Sequence, residues 1–258
     1  MEKIKKGGIS KVLFQAMNYS LFNGGKRIRP ILCLACFDAI KDRNFQLNLR
    51  LYQEILPFAC GLEFIHTFSL IQDDLPSMDN DDLRRGKPTL HKKYGEAVAL
   101  LAADALFAQA YKLFAQASID SEIKVMAINE LADICGVEGL ANGQFLDITK
   151  RDKQISSILQ NLINEQKTAK MISGSMKIGA IVALGSDKII KQIEKAGKYL
   201  GLLFQITDDL LDKESLKYKN YRQMINKYVE ITHTIFTKLG KRFNPFIEFT
   251  NYLISRQK

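Results

Sequence analysis

The distribution of proline constrains the fold of this chain more than any other sequence feature. The 258 residues include only five prolines, and none lies between Pro88 and Pro245. Because proline breaks helix interiors, this long proline-free stretch favours long helices in the middle and C-terminal regions. No segment shows the sustained alternation of apolar and polar residues, bounded by turn residues, that is typical of strands. We therefore predict an all-α fold.

No boundary between domains is visible in the sequence. The chain contains no Ser/Gly-rich linker and no low-complexity tract, and its 47% of hydrophobic residues suffices for one core. We expect a single domain over residues 1–258. The charged segment 1–6 is not followed by an apolar signal core, and the most apolar stretch, 97–110, is interrupted by Asp104 and too short for a bilayer. We therefore expect a soluble, cytoplasmic protein without stable membrane insertion.

The net charge of +9 raises the question of nucleic-acid binding. The lysines are spread thinly, and aromatic residues are not interleaved with clustered cations, so we expect anionic small substrates and no nucleic acid. Cys33 and Cys36 have a zinc-like spacing. No second Cys/His pair follows at ligand distance, so we interpret the cysteines as core residues.

Two acidic clusters lie in matching apolar frames, LIQDDL at residues 70–75 and QITDDL at residues 205–210. Each is followed by a further carboxylate, Asp79 in the first case and Asp212 in the second. Paired buried carboxylates are costly because repulsion adds to desolvation, but divalent cations between them remove this cost. Mg²⁺ takes one or two carboxylates and completes its shell with water and phosphate. The pattern predicts an enzyme that binds a diphosphate through Mg²⁺.

A basic motif, NGGKRIRP at residues 23–30, follows a predicted helix at about Ser10–Phe22. The glycines permit a turn, and Pro30 suits the first turn of the next helix. Cations beside a helix N-terminus form an anion pocket, because the free amides add positive potential. The alternative is a solvated basic turn.

A further helix is predicted from Leu49 to Asp74. His66 lies two turns before Asp73 on roughly the same face. Pro76 disfavours helical geometry at the preceding residue, so the helix should end there and allow Asp79 to return to the metal site.

The segment that follows, DDLRRGKP at residues 81–88, has two interpretations. Arg84 and Arg85 are natural bidentate phosphate ligands beside a metal site. Alternatively, the acids and arginines form a salt-bridged surface loop.

The second half of the chain contains weaker signals. Lys167 lies in a helical stretch and is, taken alone, a surface lysine. The helix-like run Gly136–Asp147 contains Gly139 and Gly143, and glycine within a helix costs about 1 kcal/mol relative to alanine. This cost suggests close helix packing or an approaching ligand, with Gln144 and Asp147 at a cavity wall.

In this order, the motifs resemble those of the trans-isoprenyl diphosphate synthases, specifically the bacterial farnesyl diphosphate synthases, over essentially the whole chain. GGKRIRP resembles the isopentenyl diphosphate site, DDLPSMD at residues 73–79 the first aspartate-rich motif, and FQITDDLLD at residues 204–212 the second. Gln72 stands where relatives often carry histidine, which we interpret as tolerated. The resemblance implies a bundle of long helices around a deep central cavity, usually as a homodimer.

The resemblance also implies roles for the matching residues. Isopentenyl diphosphate is expected at Lys26, Arg29, His66 and Arg85, and the allylic diphosphate at Arg84, Lys167, Thr168 and Gln205. Three Mg²⁺ ions are expected, with Asp73, Asp79 and Asp208 as principal ligands and Asp74, Asp209 and Asp212 in support. The aspartates of both motifs and Lys167 are the expected catalytic residues.

The implied reaction is ionisation of the allylic diphosphate, condensation and proton elimination, and the sequence offers no Cys–His or Ser–His nucleophile for a covalent route. Phe68, five positions before Asp73, resembles the bulky cavity floor of family members that stop at fifteen carbons. We therefore expect farnesyl diphosphate from dimethylallyl and geranyl diphosphates. The alternatives are a longer-chain, geranylgeranyl diphosphate synthase, a non-catalytic partner subunit and, more distantly, a nucleic-acid-binding helical protein.

The segment after the second aspartate cluster departs from the family pattern. Residues 202–239 lack glycine and proline and would form one helix of about 57 Å, which is long for this domain. Relatives carry a loop and a short helix after the second motif, whereas here Asp212-Lys213 continues directly into Glu214. Either these elements are lost or the sequence omits residues. We favour omission, which predicts a chain break near Lys213.

Overall fold

The computed structural model describes residues 10–41, 52–150, 155–211 and 220–256. Within these ranges the chain is almost entirely helical, as predicted. The helices are α1 (Lys11–Leu21), α2 (Ile28–Lys41), α3 (Leu56–Asp73), α4 (Leu90–Tyr94), α5 (Glu96–Ala115), α6 (Ser121–Cys135), α7 (Leu140–Lys150), α8 (Ser157–Asn164), α9 (Lys170–Val182), α10 (Asp187–Leu211), α11 (Tyr221–Leu239) and α12 (Asn244–Ser255). A π-helical turn, Glu165–Ala169, joins α8 to α9, and a 3₁₀ turn, Lys241–Phe243, precedes α12. The described strands, β1 (Leu83–Arg84) and β2 (Lys87–Pro88), form a small antiparallel hairpin.

The core of the first half is built on α3 and α5, which run antiparallel. Phe68 of α3 packs on Phe107 of α5 with ring centroids 5.0 Å apart, and Phe58 packs on Phe114 at 4.7 Å. Residues earlier in α3 therefore meet residues later in α5. Both Phe58 and Phe114 are fully buried, and burial of each such ring contributes roughly 1.5–3 kcal/mol.

The core of the second half consists of α2, α9, α10, α11 and α12. Helices α2 and α9 also contribute to the first-half cluster with α3, α5 and α6, so the two halves share a continuous core. The expectation of a single domain over residues 1–258 stays a prediction.

Residues 202–239 do not form the single helix that was considered too long for this domain. Helix α10 ends at Leu211 and α11 begins at Tyr221. The Tyr199 and Tyr228 rings are 5.5 Å apart, so α11 folds back on α10. Asp212, Lys213 and the predicted chain break lie within residues 212–219, outside the described residues.

The predicted boundaries of the N-terminal helices are confirmed in part. Helix α1 matches the prediction, and α3 ends at Asp73, just before Pro76. The predicted start of α3 at Leu49 is wrong, because the helix begins at Leu56 with Pro57 in its first turn. Proline suits this position, where its missing N–H is not needed.

The prediction of a helix from Gly136 to Asp147 is also wrong at its beginning. Helix α6 ends at Cys135, and the Gly136 N–H closes its last turn on the Ala132 carbonyl at 2.8 Å. The chain then turns, and α7 begins at Leu140. Gly136 and Gly139 lie in this turn, so the free-energy cost of glycine within a helix applies only to Gly143 in α7.

Helix α5 is longer than the apolar stretch on which the membrane prediction relied. It has 20 residues, and among the described residues it is the one helix that could span a membrane by length and composition. One face, with Ala99, Ala102 and Leu106, is fully buried in the core. The same length and composition are found in core helices of proteins without membrane spans.

Candidate active site

The turn after α1 shapes a basic pocket. Gly24 and Gly25 have φ angles of +84° and +108°, which glycine adopts without strain. The guanidinium of Arg85 donates to the Gly24 carbonyl, and the Asn23 amide donates to the Arg84 carbonyl at 3.1 Å. These two hydrogen bonds connect the turn to the β1–β2 hairpin. The turn that the two glycines predicted is confirmed.

All four residues expected to bind isopentenyl diphosphate line this pocket, which has a volume of about 630 Å³ and is called the basic pocket below. They are Lys26, Arg29, His66 and Arg85. Arg27 is held in place by an ion pair with the buried Glu63 and by the Leu21 carbonyl. Arg27 also lines the pocket, so the ion pair with Glu63 offsets part of the positive charge there.

Arg29 and His66 form the inner wall of the basic pocket. Arg29 Nη1 lies 3.1 Å from His66 Nε2. Since a guanidinium only donates, Nε2 accepts, and the His66 proton resides on Nδ1. Burial, together with the neighbouring arginines, holds the pKa of His66 well below its usual range. Burial also lowers the pKa of Arg29 to about 10, which keeps it charged at neutral pH.

The first aspartate cluster lies where α3 ends. The Asp79 backbone N–H donates to the Asp73 carbonyl at 2.9 Å, so the chain returns to the end of the helix as Pro76 predicted. Burial raises the pKa of Asp73 to about 6, an effect that Lys167 opposes and Asp79 reinforces. Burial is thus the largest cause, and repulsion between the carboxylates is secondary.

Arg84, which was predicted to contact the allylic diphosphate, is paired with the carboxylates of Asp74 and Asp81. Arg84 donates to Asp74 through Nη2 and through Nε at 2.9 Å, and it also contacts Asp81 at 3.1 Å. The salt-bridged interpretation of this segment therefore describes Arg84 in the present arrangement, whereas Arg85 lines the basic pocket.

The π-helical turn Glu165–Ala169 presents Lys167 and Thr168, in a stretch that the sequence indicated as ordinary helix. Gly143 of α7 packs against it, and a Cβ at this glycine would lie 2.6 Å from the Lys167 backbone nitrogen. Lys167 Nζ donates to Asp147 at 2.7 Å. The close packing predicted from Gly143 is confirmed, and it fixes the π-helical turn.

The second aspartate cluster connects to the π-helical turn through a chain of hydrogen bonds. Thr168 donates to Gln205 Oε1 at 2.6 Å, and Gln205 Nε2 donates to Asp209 at 2.7 Å. Asp208 accepts from Arg256 at 2.8 Å. The sequence analysis missed Arg256, which follows the last helix and carries no motif that would have indicated this contact.

A second cavity of about 340 Å³, called the main cavity below, lies between α3, α5, α6, α7 and the π-helical turn. Its polar end includes Asp73, Lys167 and Thr168, and Arg29 and His66 line both this cavity and the basic pocket. Its apolar end includes Phe68, Phe107 and Tyr111. The Gln144 side chain also lines it, and neither of its polar atoms has a hydrogen-bond partner among the described residues.

Residues 10–237 match the sequence model of a protein family that is described as polyprenyl synthetase. The chain belongs to the polyprenyl synthetase family. The match includes the basic motif, both aspartate clusters and the π-helical turn. The family assignment therefore rests on the same segments that form the two cavities.

Individual family members support this assignment. The heterodimeric geranylgeranyl pyrophosphate synthase large subunit 2 of Arabidopsis thaliana is 44% identical over 204 residues, covering 78% of this chain and 52% of that protein. A farnesyl diphosphate synthase of Geobacillus stearothermophilus is 43% identical over 213 residues, covering 80% and 68%. A geranyltransferase crystal structure from Legionella pneumophila has a TM-score of 0.86 at 31% identity, covering 98% of this chain and 90% of that one. The match spans about half the length of the plant relative.

Asp73 lines the polar end of the main cavity, where its carboxylate could help to hold Mg²⁺. Among the described residues, no group of three or more His, Cys, Asp or Glu side chains forms a metal site. Mg²⁺ is bound through one or two carboxylates together with substrate phosphates and water. Asp73, whose charged form is disfavoured by burial, offers such a carboxylate at the polar end of the main cavity.

Proposed function

We propose that this protein is a Mg²⁺-dependent farnesyl diphosphate synthase, which condenses isopentenyl diphosphate with dimethylallyl or geranyl diphosphate. One observation carries the proposal: the basic pocket and the main cavity share Arg29 and His66 as a common wall. An anion held in the first would therefore lie beside a chain held in the second. Farnesyl diphosphate synthase and geranyltransferase relatives support the same activity.

The basic pocket is the proposed isopentenyl diphosphate site. Lys26, Arg29 and Arg85 supply the positive charge, and neutral His66 positions Arg29 by accepting its hydrogen bond. Arginines offer a bidentate fork that matches phosphate oxygens. The low pKa of His66 keeps its Nε2 available as an acceptor at neutral pH.

The polar end of the main cavity is the proposed site of the allylic diphosphate. Lys167 and Thr168 line it, and Gln205 fixes Thr168 through the 2.6 Å hydrogen bond. Arg84 would contact the substrate only after release from Asp74. Three Mg²⁺ ions, held by Asp73, Asp79 and Asp208 with Asp74, Asp209 and Asp212 in support, would neutralise the charge of the departing diphosphate.

The remaining task of the protein is positioning and exclusion of water. Ionisation of the allylic C–O bond leaves a carbocation, which the double bond of isopentenyl diphosphate attacks before a proton is lost to the diphosphate. The common wall at Arg29 and His66 brings the two substrates together, which lowers the entropic cost of the bond-forming step. The apolar lining of the main cavity keeps water from quenching the cation.

Phe68 is the proposed floor that limits the product to fifteen carbons. It lines the main cavity and packs on Phe107, so its ring has little freedom to move aside. Replacing Phe68 with Ala should lengthen the product by one isoprene unit, because one helical turn is ~5.4 Å. An unchanged product distribution would rule Phe68 out as the floor.

A geranylgeranyl diphosphate synthase is the second candidate. The similarity to the plant geranylgeranyl pyrophosphate synthase subunit favours it, whereas the bulky Phe68 disfavours it. The name of that relative also keeps open the role of a subunit in a larger assembly.

We further propose a cytoplasmic homodimer. Helices α5 and α6, which contact each other, both expose large apolar side chains, Leu100 and Leu101 on α5 and Val125 and Met126 on α6. Several exposed large apolar residues on neighbouring helices are typical of an interface. A second copy of the chain is the partner implied by the family.

The decisive experiment is incubation of the purified protein with isopentenyl and geranyl diphosphates, with Mg²⁺ or with EDTA. Products are dephosphorylated and separated by chromatography. We expect farnesol with Mg²⁺ and no product with EDTA. A main product of geranylgeraniol supports the second candidate, and the absence of any product with Mg²⁺ contradicts both.

A further inference from the structure

The main cavity continues past Phe68 to two further aromatic residues of α5. Phe107 lies 5.0 Å from Phe68, and Tyr111 lies 5.0 Å from Phe107, measured between ring centroids. All three residues line the cavity. The apolar end therefore contains a row of rings rather than a single ring.

The antiparallel packing of α3 and α5 gives the order of these rings. Phe68 meets Phe107 near the end of α3 that carries Asp73, whereas Phe58 meets Phe114 near the opposite end. Advancing along α5 therefore means moving away from Asp73. Tyr111 is four residues after Phe107, which places it about 6 Å farther from the polar end.

Tyr111 reaches across the cavity from α5 to α6. Tyr111 of α5 and Cys135 of α6 both line the cavity. Burial, with a smaller contribution from Cys135, raises the pKa of Tyr111 to about 12, so the phenol stays protonated at neutral pH. The α6 wall opposite consists of small side chains, Ala132 and Cys135, one turn apart. The tyrosine ring, rather than the facing wall, therefore closes this part of the cavity.

We propose that Tyr111 is a second chain-length-determining residue, one level deeper than Phe68. The proposal rests on the prenyl-transfer activity and on the apolar end holding the growing tail. Phe68 stops the tail in the wild-type protein. Once the Phe68 ring is removed, the tail advances by one isoprene unit and stops at Tyr111, whose ring packs on Phe107.

The test compares the products of five proteins supplied with isopentenyl and geranyl diphosphates and Mg²⁺. They are the wild type, Phe68→Ala, Tyr111→Ala, Phe68→Ala/Tyr111→Ala and Phe68→Ala/Tyr111→Phe. We expect Phe68→Ala to shift the main product by one isoprene unit and the Phe68→Ala/Tyr111→Ala protein by at least two. Tyr111→Ala alone should keep the wild-type product length, because Phe68 still blocks the tail.

The tyrosine-to-phenylalanine variant separates the ring from its hydroxyl. If the ring is the barrier, Phe68→Ala/Tyr111→Phe ends at the same product as Phe68→Ala. The role of Tyr111 is overturned if Phe68→Ala/Tyr111→Ala gives the same main product as Phe68→Ala. It is also overturned if that double variant makes only the wild-type product. Tyr111→Leu in the Phe68→Ala background is a milder truncation for use if the alanine variant does not fold, with the same lengthening expected. Failure of the proposed activity is recognised separately, because the wild type then forms no product at all.

Discussion

At the scale of single residues, the two aspartate clusters differ in how their carboxylates are held. Burial disfavours the charged forms of both Asp73 and Asp74, but Arg84 is paired with Asp74, as Arg256 is with Asp208. Of these three aspartates, Asp73 is the one that lines the main cavity. This difference is invisible in the sequence, where the clusters look alike.

The first prediction concerns catalysis by the two clusters. Asp73→Ala or Asp208→Ala should lower turnover by at least about 10²-fold, because each removes charge stabilisation from the departing diphosphate. Helical circular dichroism should be unchanged, which distinguishes lost chemistry from lost folding. Steady-state assays over a range of Mg²⁺ concentrations measure the effect. Near-wild-type turnover in either variant contradicts a mechanism that uses both clusters.

The second prediction concerns the stability of the metal-free protein. The pKa of Asp73 is raised from 3.8 to about 6, so between these values the native state binds more protons than the unfolded state. Its contribution to the free energy of unfolding therefore falls as pH rises from 4 to 6, by roughly 2–3 kcal/mol in total. Asp73→Asn should remove this decrease in the free energy of unfolding. Urea unfolding in EDTA at pH values below 4 and above 6 measures the decrease in both proteins. Identical pH profiles for the variant and the wild type contradict the prediction.

At the scale of elements, the π-helical turn depends on its contact with α7. Gly143→Ala would place a Cβ 2.6 Å from the Lys167 backbone nitrogen, so the turn that carries Lys167 and Thr168 must shift. We expect a loss of about 1–3 kcal/mol in stability and a raised KM for geranyl diphosphate. Gly197→Ala is the matched control, because its Cβ would lie 2.7 Å from the Ser173 Cα in α9. If both variants raise KM equally, the effect is general destabilisation.

The elements show where prediction from sequence succeeds and fails. The end of α3 and the glycine turn after α1 were predictable, because Pro76 and the paired glycines act through local backbone geometry. The start of α3 carried a local signal in Pro57, which suits a first helical turn. The π-helical turn and the path of Arg256 to Asp208 carried none, since both depend on packing between segments distant in sequence.

At the scale of the whole molecule, the common wall between the two cavities brings together residues from separate parts of the chain. Arg29 begins α2 and His66 lies within α3, whereas Lys167 precedes α9. The resemblance to the trans-isoprenyl diphosphate synthases predicted functional roles for these residues, and all three line the main cavity. The sequence alone did not indicate which of the predicted site residues form ion pairs within the protein, as Arg84 does with Asp74.

The exposed apolar residues of α5 and α6 give the final prediction. If they form the interface between two copies, light scattering should give a wild-type mass of twice 29.3 kDa. Placing charges there with Leu101→Lys/Met126→Lys should yield the monomer, because a buried unpaired charge costs several kcal/mol. Ile158→Lys is the control, since Ile158 is 81% exposed on α8, away from these helices. A wild-type monomer, or a dimer that survives the double substitution, contradicts this interface, and loss of the dimer in the control as well shows a general effect of added charge.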